Sequence, residues 1–435
     1  MLHHALNLVA ERGYMQAGGD KPIRVCAVLM GGSTAETIST VHAALEANGP
    51  VALTIVDLLM FHLRSPGQIA YPREAEIIRI GPADCGINTK FKSSSINLLL
   101  SGGAAAFRRI VDKARATYAA AKPDVVVLCH DRLYSELAFV RAAQEMGIPT
   151  VLIQEGPFCV IGYGTANSVN LKIKYLFAPL AHKIGLLPAM PDYGHAGHAR
   201  ICAASEAYAA QWVRSGIEPD HMAVTGIPRY DSLARIRHDI AAKEPRPGGV
   251  PRVCFLAQPF ARHGKVSAAA AHARMRDLAE AFNRAAASTA FDLVVRAHPR
   301  GNREDLAPLV DALATPYEIQ NATAPFPSVL PEFDLVVGFY SSAILEALAC
   351  DVPAVCVRLP KEAFSEPAEG AKQDVITGIG VPTAIDAQGL ADALVASLTQ
   401  RPAISASKLR DEIGQIQGQA SRMVADVISA SANRI

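Results

Sequence analysis

Short apolar runs alternate with amphipathic stretches along almost the whole chain. In the first half the runs are Ile23–Met30, Val51–Leu59, Asp124–His130, Thr150–Glu155, Ala199–Ala203 and Met222–Gly226. Between them Thr34–Ala47 and Ser135–Met146 carry helical periodicity, the second stopped by Gly147. Runs such as DVVVLC are apolar at successive positions, which requires burial on both faces. They predict parallel strands between two layers of helix. The stretch Ala241–Pro251 breaks the pattern with proline, glycine and charge. The alternation then restarts. Val253–Gln258, Leu293–His298, Leu335–Gly338 and Ala354–Val357 predict strands, and Val266–Ala286, Arg303–Ala312 and Ser342–Cys350 predict helices. Ser405–Ala430 predicts one amphipathic terminal helix. The expected architecture is α/β, two Rossmann-like doubly wound domains facing a central cleft. They span 1–240 and 252–404, with a linker at 241–251 and a tail at 405–435 that packs back on the first domain. Ligands of such sheets bind at the carboxyl ends of the strands.

The length of 435 residues supports two cores rather than one. A formal net charge of +1 gives no electrostatic basis for binding nucleic acid, so any anion site must be local. The eight cysteines lack metal-ligand spacing, and Cys26, Cys129, Cys254 and Cys356 fall in or beside apolar runs. They read as buried free thiols of a reducing compartment. Met1–Gln16 is amphipathic without a basic segment and apolar core, and no apolar run reaches about 18 residues. A cytoplasmic protein is expected.

Polar residues at predicted strand ends are the candidates for chemistry. Asp334–Val357 is a buried strand followed by Ser341 and Ser342 at a helix start, where free N–H groups and the helix dipole favour a phosphate. Glu346 lies one turn further on, a spacing that suits a ribose hydroxyl. Asp292–Asp305 ends its strand in Arg296, His298 and Arg300, fixed donors for a second phosphate contact. Gln258 closes another strand, and Lys265 follows in a basic turn. In the first half, Gln154, Glu155 and Gly156 follow one strand and His130 and Asp131 another. A carboxylate or imidazole there suits a general base. The turn Met30–Thr34 opens a helix but is not a GxGxxG loop. No acidic pair or His/Cys cluster accompanies these sites, so no metal is expected.

With these residues in view, the order of segments resembles the GT-B superfamily. The likeness is strongest to bacterial surface-polysaccharide proteins, the group of sialyltransferases, capsule Kdo transferases and CDP-glycerol transferases. Their acidic-acidic-Gly, His-Pro and Ser-Ser motifs correspond to Gln154-Glu155-Gly156, His298-Pro299 and Ser341-Ser342. VTGIPRYD, Val224–Asp231, resembles the family's TG-x-P-x-x-D stretch. The resemblance implies an inverting, metal-independent glycosyltransferase that moves a sugar from a nucleotide sugar to a glycan or lipid-linked acceptor. It implies Glu155 as base, with His298 and the Ser341/Ser342 helix start holding the donor phosphates. The family's first acidic position is Gln154 here, which leaves Glu155, Asp131 and His130 as alternatives for the base. A nucleotide-sugar 2-epimerase or hydrolase, a CDP-glycerol-type transferase and a non-catalytic nucleotide-binding protein remain open. Leu171–Leu187 mixes Lys172, Lys174 and Lys183 with apolar residues, a pattern for peripheral association with the inner face of a membrane.

Overall fold

The computed structural model describes residues 21–62, 69–91, 94–159, 177, 179–244, 249–299, 301–365 and 367–433. Met1–Gln16, residues 245–248 of the expected linker and Arg300 lie outside them. Among the described residues, thirteen strands form two sheets. The first contains β1 (Ile23–Leu29), β2 (Val51–Asp57), β3 (Glu76–Arg79), β4 (Val125–Leu128), β5 (Thr150–Ile153), β6 (Arg200–Ala203) and β7 (Met222–Val224). The second contains β8 (Arg252–Leu256), β9 (Asp292–Arg296), β10 (Tyr317–Gln320), β11 (Leu335–Gly338), β12 (Ala354–Val357) and β13 (Thr383–Ala384).

Every recorded strand pair is parallel, in the orders β3-β2-β1-β4-β5-β6-β7 and β10-β9-β8-β11-β12-β13. The order reverses between β1 and β4 and again between β8 and β11. Helices leave opposite faces at such a point, and a crevice opens beside the strand ends. The expected α/β architecture of two Rossmann-like units is therefore present.

The continuous apolar runs are explained by burial on both faces. Val25, Ala27 and Leu29 of β1 pack with Ile38, Val41 and Leu45 of the helix Gly32–Asn48 and with Val424 and Ile428 of the helix Ala420–Ala432. Cys26 and Val28 face the opposite layer, which holds Tyr118, Phe139 and Trp212. Each buried valine or leucine contributes roughly 1.5–3 kcal/mol relative to exposure. All eight cysteines are free thiols, and only Cys159 is not buried.

The tail is two helices rather than one, Ala406–Ile413 and Ala420–Ala432. Gly414 breaks it at φ 74°, in the left-handed region. A Cβ there would lie 2.1 Å from the Ala204 carbonyl oxygen, so the chain turns hard against the first domain. Asp231, the aspartate of VTGIPRYD, then caps the last helix. Its carboxylate accepts from the Ala420 and Ser421 amides, each at 2.8 Å, and from the Ser421 hydroxyl. Asp231→Ala should lower stability by about 1–2 kcal/mol, the usual cost of losing a cap, read as a lower urea midpoint. An unchanged midpoint would show that packing alone fixes the tail.

Candidate functional site

Gln154 and Glu155 are successive residues leaving β5, so they point to opposite sides. Gln154 is 1% exposed. Its Oε1 accepts from the Ala204 amide at 2.9 Å, and its Nε2 donates to the Gly156 carbonyl at 3.1 Å. The glutamine therefore ties β5 to the end of β6 and shapes the Gly156 turn.

Glu155 turns the other way, towards the β1 turn and Arg229. Ser33, from the β1 turn, donates to its Oε1 at 3.4 Å. Its Oε2 is sealed from solvent and has no hydrogen-bond partner. Burial raises its pKa and nearby Glu36 adds to the rise, while Arg229 and the Ser33 hydroxyl oppose it. Such a carboxylate is a stronger base than an exposed one.

Arg229 joins the two domains. Pro228–Tyr230 forms a short 3₁₀ turn after β7 that carries the arginine into the gap. Its Nε donates to the Glu155 carbonyl at 2.9 Å, its Nη1 to Glu346 Oε1 at 3.0 Å and its Nη2 to the Tyr230 hydroxyl at 2.9 Å. Burial works against its charge, but Tyr230, Glu346 and Glu155 outweigh that and raise its pKa. On the helix Gly32–Asn48, Glu36 is also raised, by burial first and by Glu346, against the pull of Arg229. One guanidinium thus serves three carboxylates, which biases the cluster towards holding a proton.

In the second domain Ser341 precedes the helix Ser342–Ala349, and its hydroxyl makes no cap bond. Ser342 instead acts on the Tyr230 hydroxyl. Glu346, expected at a ribose, is 4% exposed and bound to Arg229. Lys265 pairs with Glu369 at 2.9 Å, as Lys372 does at 2.7 Å, and the Tyr340 hydroxyl donates to the same carboxylate. Burial raises Glu369, but the two lysines outweigh it and hold its pKa at about 2. The field of Lys372 reaches Cys159 on the β5 loop, so this cradle faces the first domain. His298 leaves β9 beside His263, with ring centroids 6.0 Å apart. Gln258 lines a small cavity with Phe260 and Phe339.

Two expected site residues turn inward. Asp131 is 0% exposed, pairs with His198 at 3.1 Å and accepts from the Gly194 amide at 2.9 Å. Its carboxylate is thus engaged inside the first domain. Arg296 is 4% exposed and donates to Gln320 Oε1 at 2.6 Å and to the Ala324 carbonyl. Burial lowers its pKa, and these contacts tie β9 to the loop after β10. Arg300 lies outside the described residues, as do Lys172 and Lys174. Of the same stretch, Phe177, Leu180 and Ile184 are exposed. Among the described residues no helix is long and apolar enough to cross a membrane. Arg229, Tyr230, Ser33 and Glu36 were not singled out by sequence. Their signals in the sequence were the resemblance of VTGIPRYD to the TG-x-P-x-x-D stretch and the glycine turn at Met30–Thr34.

The sequence matches no family profile and no curated protein. Solved structures align over nearly its whole length. UDP-GlcNAc 2-epimerase from Neisseria meningitidis, bound to UDP-GlcNAc, gives a TM-score of 0.55 at 14% identity, covering 94% of this chain and 100% of that one. UDP-GlcNAc 2-epimerase from Methanocaldococcus jannaschii gives 0.57 at 13% identity, covering 94% and 100%. MurG from Acinetobacter baumannii gives 0.51 at 15% identity, covering 94% and 100%. Likeness at these identities carries the fold and nothing finer. The chain has the GT-B fold, two Rossmann-like domains that the Arg229–Glu346 ion pair joins.

Proposed function

We propose that the protein is a glycosyltransferase that uses a nucleotide-sugar donor. The observation that carries this reading is the Glu155 carboxylate, half-buried at the end of β5 with one oxygen unpartnered. In the ionised state it is placed to take the proton of an acceptor hydroxyl as that oxygen attacks the anomeric carbon. The leaving nucleotide takes the bonding electrons. His298 and the amides at the start of the helix Ser342–Ala349 then stabilise its phosphate by fixed dipoles and hydrogen bonds. Glu346 would meet the ribose once Arg229 releases it. The exposed face of Phe177, Leu180 and Ile184 supports an acceptor presented at a membrane surface.

A second reading, nucleotide-sugar epimerisation, draws support from Glu36 and Glu155, two carboxyls of raised pKa in one cluster. Incubating UDP-, CMP- and GDP-sugars in D₂O separates the two. An epimerase that breaks a C–H bond of the sugar exchanges deuterium into the donor with no acceptor present. A transferase leaves the sugar carbons unlabelled and consumes donor only when a hydroxyl acceptor is added. The same turnover is expected in EDTA, because protein groups supply the neutralising charge. Strict dependence on magnesium or manganese would count against this arrangement.

A further inference from the structure

The turn that follows Glu155 is held by the tail of the chain. The Glu155 carbonyl accepts from Arg229 Nε at 2.9 Å, and the Gly156 carbonyl accepts from Gln154 Nε2 at 3.1 Å. Two residues further on, Phe158 stands at φ 58°. A bulky residue holds this left-handed conformation only where its surroundings impose it. The group that does so here is Glu412, 254 positions away on the helix Ala406–Ile413. Its Oε2 accepts from the Phe158 amide at 3.2 Å and from the Tyr208 hydroxyl at 2.7 Å. The same hydroxyl accepts from the Cys159 amide at 3.0 Å. One carboxylate oxygen thus ties down two successive amides, the first directly and the second through a tyrosine.

Both holders are themselves fixed. Tyr208, on the helix Glu206–Arg214, is buried against Trp212, with ring centroids 6.4 Å apart. Burial first, and Glu412 in addition, push its pKa up, so the hydroxyl keeps the proton it donates. Leu409 and Ile413 seat the tail helix in the core, and the Ser205 hydroxyl donates to the Asp411 carbonyl at 2.5 Å. A shift of this helix therefore pulls on the Phe158 amide, three residues from Glu155.

We infer that Glu412 is a positioning residue for Glu155: it fixes residues 156–159 and, through them, the direction in which the carboxylate leaves β5. The inference rests on the proposed function for the role of Glu155 as base. Glu412 acts on the backbone beyond the base and takes no part in proton transfer. A base tolerates little displacement, since an error of about 1 Å can cost about 10²-fold in rate. The tail follows directly on the second domain, so the seat of the base in the first domain depends on a segment that comes after both sheets.

Two variants test this. Glu412→Ala removes both ties, whereas Glu412→Gln keeps an acceptor oxygen for both and loses only the charge. Backbone amide exchange is read first, without substrate. Exchange at Phe158 and Cys159 should be roughly 10-fold faster or more in Glu412→Ala and near wild type in Glu412→Gln. The ¹³C titration of the Glu155 carboxyl is read on the same samples. Its raised pKa should fall towards the ordinary carboxylate range in Glu412→Ala, because a loosened turn admits water, and should stay in place in Glu412→Gln. In turnover Glu412→Ala should lower kcat roughly 10- to 100-fold with the donor KM within about twofold of wild type, and Glu412→Gln should restore most of the rate. Unchanged exchange at Phe158 and Cys159 overturns the tie. A lower urea midpoint with kcat and the Glu155 titration in place makes Glu412 a structural contact only and overturns the positioning role. If Glu412→Ala does not fold, Tyr208→Phe, which frees the Cys159 amide, is read by the same three measurements with the same outcomes. If the wild-type protein turns over no nucleotide sugar, the functional reading fails, while exchange and titration still decide whether Glu412 positions Glu155.

Discussion

Glu155→Gln is expected to lower turnover about 10²-fold or more while leaving nucleotide binding near wild type. The substitution keeps the shape of the side chain and its contact with Ser33, but it cannot accept a proton. The donor-side groups, His298 and the start of the helix Ser342–Ala349, belong to the other sheet and should be undisturbed. The sign of the pH dependence follows from the raised pKa. A base must be ionised, so activity should rise with pH through the Glu155 value, above the usual carboxylate range. The variant should lose this acid limb. If Glu155→Gln turns over like wild type, the hydroxyl proton goes elsewhere, and His130 becomes the next candidate base. If the variant loses nucleotide binding as well, the residue supports the donor site and a purely chemical role is excluded.

How the sheet was legible, and where it was not, follows from burial. Leu335–Gly338 and Ala354–Val357 agree with β11 and β12 residue for residue, because strands covered on both faces are apolar throughout. The edge strands β3, β10 and β13 passed unnoticed. Their residues are largely exposed or half-buried, so EIIR, YEIQ and TA carry little pattern of their own. The same logic limited the site. Polar residues follow the strand ends, yet composition cannot say which way each side chain turns. Gln154 and Glu155 are neighbours with opposite fates, one stitching β5 to β6 and one meeting Ser33 of the β1 turn. Asp131 and Arg296 are charged groups at strand ends that found buried partners instead of solvent. Arg229 was hidden for another reason. Its role depends on carboxylates from β5 and from the helix Ser342–Ala349, and no local spacing encodes a contact between residues 117 positions apart.

That contact gives the largest expected stability effect. Arg229→Met should destabilise the protein by about 3–5 kcal/mol, the usual consequence of removing one partner of a buried ion pair. The arginine side chain is 14% exposed and Glu346 is 5% exposed, so water can do little to rescue the stranded carboxylate. The Glu155 carbonyl and the Tyr230 hydroxyl would lose donor contacts at the same time. Methionine fills much of the volume, so the loss should be mainly electrostatic. A double variant separates the terms. Adding Glu346→Gln to Arg229→Met removes the stranded charge and should recover part of the urea midpoint, a positive coupling between the sites. Glu155 offers an independent reading. Arg229 lowers its pKa, so without the arginine that pKa should climb further and the acid limb of the pH–rate profile should move to higher pH. A variant with an unchanged midpoint would show that Arg229–Glu346 is no structural tie between the domains. One that loses stability but keeps the acid limb in place would show that the pair holds the domains together without tuning the base.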